Sequence, residues 1–309
     1  MLSEIRMVTV GVSDLPRALR FYEQALAHRV LEQGEVPPAT ARFWRAQSLE
    51  ALSYAILAAD DSGQGRVRLV AGEPPRPHVW AGADPYASSG YFALNYRCRD
   101  LKKQLERIAA AGGQPGRPTR WQVSEQVVVQ DSMNQDPDGT HLDLFFYEKG
   151  GELRGALLSE VSVLQTVAIA TRALERSKRF WEALGFEELF DRVLDFPELK
   201  ELLHTSEPVR IRNANLMKDG RIVPGRIEMF SYLGMEGRPE QRLAEKARPP
   251  AAGILMVSLK STDLPSDAAL IERAGGRVVG RMQGERPGFG RGEALLAEGP
   301  DGEAIELIG

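Results

Sequence analysis

The sequence predicts an α+β protein made of four βαβββ modules, and two observations carry that prediction. A strand running directly into a capped amphipathic helix occurs four times, starting at residues 7, 93, 166 and 256. Each helix is followed by strand-like stretches separated by turn signals, and each series closes on a strand introduced by glycine. A helix followed by a meander, repeated, is the pattern of an α+β fold rather than of an alternating parallel one.

The first unit, MVTVGVSDLPRALRFYEQAL from Met7, alternates β-branched residues, meets Ser13-Asp14 and Pro16, and carries a stripe of Leu15, Ala18, Leu19, Tyr22, Ala25 and Leu26. That stripe has the i, i+3, i+4, i+7 spacing of an amphipathic helix. The second, ALNYRCRDLKKQLERIAAAGG from Ala93, offers Asp100 as N-cap, Leu101, Leu105 and Ile108 as the stripe, and Gly112-Gly113 as the stop. The third, TVAIATRALERSKRFWEALGF from Thr166, puts Leu174, Ser177, Trp181 and Leu184 on one face, with Arg172 where the others have an acidic cap. The fourth, MVSLKSTDLPSDAALIERAGG from Met256, begins its helix at Asp263-Leu264-Pro265 and stops at Gly275-Gly276.

Closing strands are expected at 65–71, 139–147, 225–233 and 302–308. Two of them follow Asp136-Pro137-Asp138-Gly139 and Pro300-Asp301-Gly302, the chemistry of a tight turn between antiparallel strands. Residues 72–89, rich in Pro and Ala, read as a linker, and 148–155 divides the chain into domains at 1–150 and 155–309. A single module of about 60–80 residues would have a marginal core and an open sheet edge, so the two modules within each domain are expected to pair.

The 309 residues hold 39 Lys+Arg against 43 Asp+Glu, a net charge of −4. That balance offers no surplus of cations for phosphates, so nucleic acid and anionic membranes are not expected partners. A small molecule is, and a homodimer is left open. The lone cysteine, Cys98, reads as a buried apolar residue and fits a reducing compartment. The start MLSEIRM lacks a signal-peptide pattern and stretches such as 49–59 are too short to span a bilayer, so a cytoplasmic location is expected.

The segments VTVGVSDLPRALRFYEQAL, VAIATRALERSKRFWEALGF, DPDGTHLDLFF and PDGEAIELI resemble the vicinal oxygen chelate superfamily, which includes glyoxalase I, bleomycin-resistance proteins, methylmalonyl-CoA epimerase and extradiol dioxygenases. The resemblance covers nearly the whole chain and implies modules paired into two incomplete β-barrels with helices outside. It also implies metal ligands: a His early in a module's first strand and a Glu in its last. The matching positions are Met7, Ala93, Thr166 and Met256 for the His, and Arg68, Asp143, Glu228 and Glu306 for the Glu. No imidazole stands at any of them, so neither a metal nor another cofactor is expected.

Period-two parity, laid on that fold, gives each domain a candidate cavity lining. The N-terminal cavity is expected to hold Met7, Thr9, Arg66, Arg68, Ala93, Asn95, His141 and Asp143, with Arg68 and Asp143 as an ion pair. The C-terminal cavity is expected to hold Thr166, Ala168, Arg226, Glu228, Phe230, Met256, Ser258 and Glu306. There Glu228 and Glu306 are the candidate acid and base, because two inward carboxylates among apolar groups repel and at least one pKa rises. Thr166, Ser258 and Arg226 would orient a substrate, Trp44 and Trp121 are candidates to wall a pocket, and 288–292 reads as a flap over the C-terminal cavity.

The function expected is therefore a metal-independent enzyme acting on a small organic molecule by acid–base chemistry of lyase, isomerase or cyclase type. The alternative is a non-catalytic binding or resistance protein that sequesters its ligand in an apolar, aromatic cavity. A third reading keeps a metal on atypical ligands drawn from Glu228, Glu306, His141 and Asp143.

Overall fold

The computed structural model describes residues 1–46, 51–151, 157, 159–222, 224–235 and 237–309. The four modules are present in the expected order. The first is β1 (Leu2–Gly11), α1 (Leu15–Leu26), β2 (Arg29–Glu35), α2 (Pro38–Phe43), β3 (Leu52–Ala58) and β4 (Arg66–Gly72). After a three-residue strand β5 (Arg76–His78), the second is β6 (Ser88–Arg97), α3 (Leu101–Ala110), β7 (Thr119–Ser124), β8 (Val127–Gln135) and β9 (His141–Lys149). The third is β10 (Thr166–Ala170), α4 (Leu174–Ala183), β11 (Phe186–Leu194), α5 (Leu199–Leu202), β12 (Ile211–Lys218) and β13 (Arg226–Tyr232). The fourth follows β14 (Gln241–Arg242) and comprises β15 (Ala251–Ser261), α6 (Leu264–Arg273), β16 (Arg277–Arg286), β17 (Gly290–Glu298) and β18 (Ala304–Ile308).

Three of the four module helices start as their sequences dictate. The carboxylates of Asp14, Asp100 and Asp263 accept hydrogen bonds from the backbone N–H groups of Arg17, Lys103 and Ser266 at 2.8, 3.0 and 3.0 Å. α4 has no side-chain cap. Arg172 turns away instead and donates to the carbonyls of Tyr86 and Met235, each at 2.9 Å, and of Arg238 at 3.2 Å.

Modules one and four form one curled sheet, in the order β16-β17-β18-β15-β1-β4-β3-β2, and modules two and three form the other, β11-β12-β13-β10-β6-β9-β8-β7. The expected pairing of neighbours within each half of the chain is thereby corrected. β1 lies antiparallel to β15 and β10 antiparallel to β6, so each barrel draws one module from either side of residue 150. The division expected over 148–155 falls largely on residues outside those described, and it separates no two sheets.

The outward parity of the strands, with Val8, Leu69, Leu94, Leu144, Val167, Met229, Val257 and Leu307, forms one continuous core with Phe21, Tyr22, Phe180 and Trp181 of the helices. Each large side chain buried there contributes about 1.5–3 kcal/mol. The inward parity lines the two barrel interiors. Two glycines set how closely the barrels approach. Gly65 and Gly225, which lead β4 and β13, have φ of 55° and 87°, and a Cβ would lie 2.6 Å from the Leu164 oxygen in the one case and 2.4 Å from the Ile5 oxygen in the other. The tight turns add a second link: Asp138 accepts from Ser13 and Arg17 of module one, and Asp301 from Arg176 and Ser177 of module three. No helix among the described residues is long and apolar enough to cross a membrane.

Candidate functional site

The two barrels share one register, so their interiors can be compared position by position. Across the first, Thr9 stands beside Arg68 and Met256, Met7 beside Ser258, and Ser258 beside Glu306. Across the second, Ala168 stands beside Glu228 and Ala93, Thr166 beside Asn95, and Asn95 beside Asp143. Arg68 and Glu228 are therefore equivalent, and so are Glu306 and Asp143. One barrel carries opposite charges at the two positions, the other like charges.

In the first barrel the opposite charges meet. The Arg68 guanidinium donates through Nη2 to Glu306 Oε2 at 2.8 Å and to Thr9 Oγ1 at 2.7 Å, and through Nη1 to the Pro287 carbonyl at 3.1 Å. Ser258 Oγ donates to Glu306 Oε2 at 2.6 Å, and Trp44 Nε1, just beyond α2, donates to Oε1 at 2.8 Å. The indole of Trp44 also lies on the guanidinium, 4.3 Å away. Arg68, Glu306, Met7, Ser258 and Trp44 are at most 1% exposed, so this interior is filled. Burial pushes the Glu306 carboxyl up, but Arg68, Ser258 and Trp44 outweigh it and hold it below the usual carboxylate range.

Several expectations are corrected here. Arg68 pairs with Glu306 rather than with Asp143. Glu306, Met256 and Ser258 lie in a different barrel from Glu228, Thr166, Arg226 and Phe230, so Glu228 and Glu306 are not the acid and base of one cavity. The physical reason is the pairing of β15 with β1. The 288–292 segment is a turn and the first residues of β17 over the filled barrel, tied down by Arg286, which donates to the carbonyls of Phe289, Gly290, Glu293 and Gly309.

The second barrel keeps a cavity of about 160 Å³. Phe92, Trp121, Phe145, Phe190 and Phe230 give it an aromatic wall, and Phe196, Leu199, Leu202 and Leu203, on and around α5, close its mouth. Phe196 stacks on Trp121 with ring centroids 5.5 Å apart. Against this wall stand the carboxylates of Asp131, Asp143 and Glu228, the amides of Asn95, Asn213 and Asn215, the hydroxyl of Thr166, and Arg192 and Arg226. His141, expected beside Asp143, instead packs its ring 4.6 Å from Phe92 and 5.1 Å from His204, at one end of the cavity and outside its lining. Burial drives its pKa down to about 3, with the neighbouring His204 and His78 adding to the effect.

Asp143 and Asp131 sit on the adjacent strands β9 and β8 and share a hydrogen bond between their carboxyls. Burial, together with the Asp131 charge, pushes Asp143 well above the carboxylate range, and burial raises Asp131 as well. Two carboxyls this close hold one proton between them more readily than both ionise. Glu228 accepts from Asn95 Nδ2 at 2.8 Å and from Asn213 Nδ2 at 2.6 Å. Burial raises its pKa, although the Asn213 amide, Arg226 and the Asn95 amide oppose the shift. The Oδ1 atoms of Asn95, Asn215, Asp131 and Asp143 have no partner among the described residues. Unpaired polar atoms around an apolar cavity are what a ligand would satisfy.

Asp131, Asn213 and Asn215 were not foreseen as site residues. Asp131 did leave a signal: an aspartate in mid-strand, in phase with the apolar Val129 and Met133, is out of keeping with strand composition unless a polar neighbour faces it.

The metal ligands implied by the resemblance are not matched by the donors present. In the first barrel the Arg68 guanidinium itself occupies the centre, between Glu306, Thr9 and Met256. In the second, Ala93 and Thr166 stand where imidazoles would, and Glu228 has both oxygens taken by amides. Among the described residues no three His, Cys, Asp or Glu side chains are grouped so that they could hold a metal ion.

Comparison with known proteins agrees with this architecture. Residues 4–144 match the model of the Glyoxalase/Bleomycin resistance protein/Dioxygenase superfamily. No curated protein matches the chain. Among solved structures, glyoxalase I from Zea mays is similar with a TM-score of 0.66 at 20% identity, over 99% of this chain and 92% of that one. A putative dioxygenase from Bacillus subtilis subsp. subtilis str. 168 is similar with a TM-score of 0.62 at 13% identity, over 99% of this chain and 84% of that one. At these identities the likeness concerns the fold alone. Of the four modules built on this one plan, the match to the Glyoxalase/Bleomycin resistance protein/Dioxygenase superfamily covers the first two.

Proposed function

We propose that the chain is an acid–base enzyme of isomerase or lyase type, acting on a small organic molecule in the barrel formed by modules two and three. The observation that carries this reading is the contrast between equivalent positions: Arg68 and Glu306 neutralise each other in a filled interior, whereas Glu228 and Asp143 face a cavity as two carboxyl groups. Groups poised in this way suit proton transfer. Glu228, ionised and fixed by Asn95 and Asn213, would accept a proton from a carbon next to a carbonyl. The protonated Asp143–Asp131 pair would deliver one to the carbonyl oxygen or to the leaving group. Arg226 would offset the negative charge that develops, Thr166 would orient the substrate, and Phe230 would pack against its apolar part.

The test uses D2O. The protein is incubated with a panel of small carbonyl and carboxylic compounds, and deuterium incorporation is followed by NMR. Asp143→Asn and Glu228→Gln are each expected to slow exchange of the responding compound by about 10²–10⁴-fold. A second reading, sequestration of an intact ligand, is favoured by the aromatic wall. It takes over if a compound binds, dissociates slowly and is recovered unchanged and free of deuterium.

A further inference from the structure

A second cleft, of about 520 Å³, lies at the end of the filled barrel where β1 begins and β15 ends. Its charged lining is Arg6, Arg66, Lys260 and Arg286, and among the described residues no Asp or Glu side chain lines it. Arg286 is used internally, on the four carbonyl oxygens described above, one of them that of Gly309. Arg6 pairs with Glu4, which also accepts from Gln64. Arg66 is different. Its guanidinium makes no ion pair or hydrogen bond among the described residues, and its Nε is buried without a partner. No Asp or Glu among the described residues joins Lys260 in this lining.

The arrangement is tight as well as basic. Gly63, at φ 73°, sits where a Cβ would lie 3.6 Å from Arg66 Nη2 and 3.9 Å from Arg6 Nη2. The two guanidiniums thus converge on one point, which the absent side chain leaves open. Like charges held this close repel unless an anion lies between them. Ser261 and Thr262 also line the cleft, but the Ser261 hydroxyl is committed to Asp267 and the Thr262 hydroxyl to the N-terminal amine. What is free to act is Arg66 and Lys260, with the Arg6 guanidinium, already paired to Glu4, beside them.

We propose that this cleft binds the phosphate group of a small molecule, with Arg66 and Arg6 gripping the oxygens from two sides and Lys260 closing over a third. Planar guanidiniums suit paired oxygens and the flexible ammonium suits a point charge, and a tetrahedral dianion satisfies all three at once. The site is independent of the acid–base cavity, being built by modules one and four, whereas that cavity is built by modules two and three.

The experiment is calorimetric titration of the full chain with inorganic phosphate, against sodium chloride at matched ionic strength. Saturable binding to one site is expected, weakened about tenfold in Arg66→Gln and measurably in Lys260→Gln. Lys260 is exposed, so its variant decides the matter if Arg66→Gln does not fold. Absence of saturable heat beyond the chloride control overturns the proposal, and so does phosphate binding of wild-type strength in the folded variants.

Discussion

Arg68 and Glu306 are withdrawn from water, and a buried pair of this kind acts more as a constraint than as a source of stability, because desolvation consumes most of the attraction. Glu306→Gln, which strands the guanidinium, is expected to cost about 3–5 kcal/mol in urea denaturation, whereas Arg68→Met with Glu306→Leu costs far less. The pH dependence of the pair runs in the acid direction. The folded Glu306 carboxyl lies below its unfolded value, so its contribution is full above the unfolded pKa and is lost as pH falls through the folded one. Asp143 runs the other way: its pKa is raised in the folded state, so stability is highest below the unfolded value and falls as pH rises through the folded one. Asp143→Asn, whose amide can donate to Asp131, is expected to melt higher than wild type by a margin that widens from pH 5 to pH 8. A margin that does not change with pH counts against the shared proton. At this scale the sequence revealed that Arg68, Asp143, Glu228 and Glu306 point inward, since parity settles which face a residue takes. It did not reveal which pairs meet, because that depends on the strand lying alongside.

The four long helices and most of the strands were legible, since apolar spacing, aspartate caps and glycine stops all point to the same elements. The missing cap of α4 was legible too, in Arg172. α2 and α5 were not, because helices of six and four residues are too short to show a period. These two short helices stand at the mouths of the barrels, one bringing Trp44 onto the ion pair and the other bringing Leu199 and its neighbours over the cavity. Tight turns were read only at Gly139 and Gly302, yet Gly65 and Gly225, which lead the other two closing strands, also take left-handed conformations. Their further role, letting the barrels touch, needs a partner that local sequence does not name. Gly225→Ala meets a left-handed backbone and the Ile5 carbonyl together. The backbone alone costs about 1–2 kcal/mol, and the measured loss in chemical denaturation should exceed that.

Four modules with one pattern can be paired in more than one way, and the ladder chemistry of a strand edge is the same whichever strand supplies it. This is why the repeat was visible in the sequence and the crossed pairing was not. It makes each half of the chain incomplete: residues 1–150 contain β1 without β15 and β6 without β10. Expressed alone, 1–150 should be unfolded or self-associated in size-exclusion chromatography, and mixing it with 157–309 should yield a one-to-one complex. An independently folded, monomeric 1–150 would count against this dependence. The same crossing sets an order in time. Modules two and three are neighbours along the chain, while β1 must wait for β15, which a growing polypeptide does not contain until residues 251–261 have been made. Contacts close in sequence form first and distant ones slowly. The barrel with the open cavity should therefore assemble first, with the filled barrel closing last around its ion pair, so that Trp121 reaches its native environment during refolding before Trp44 does.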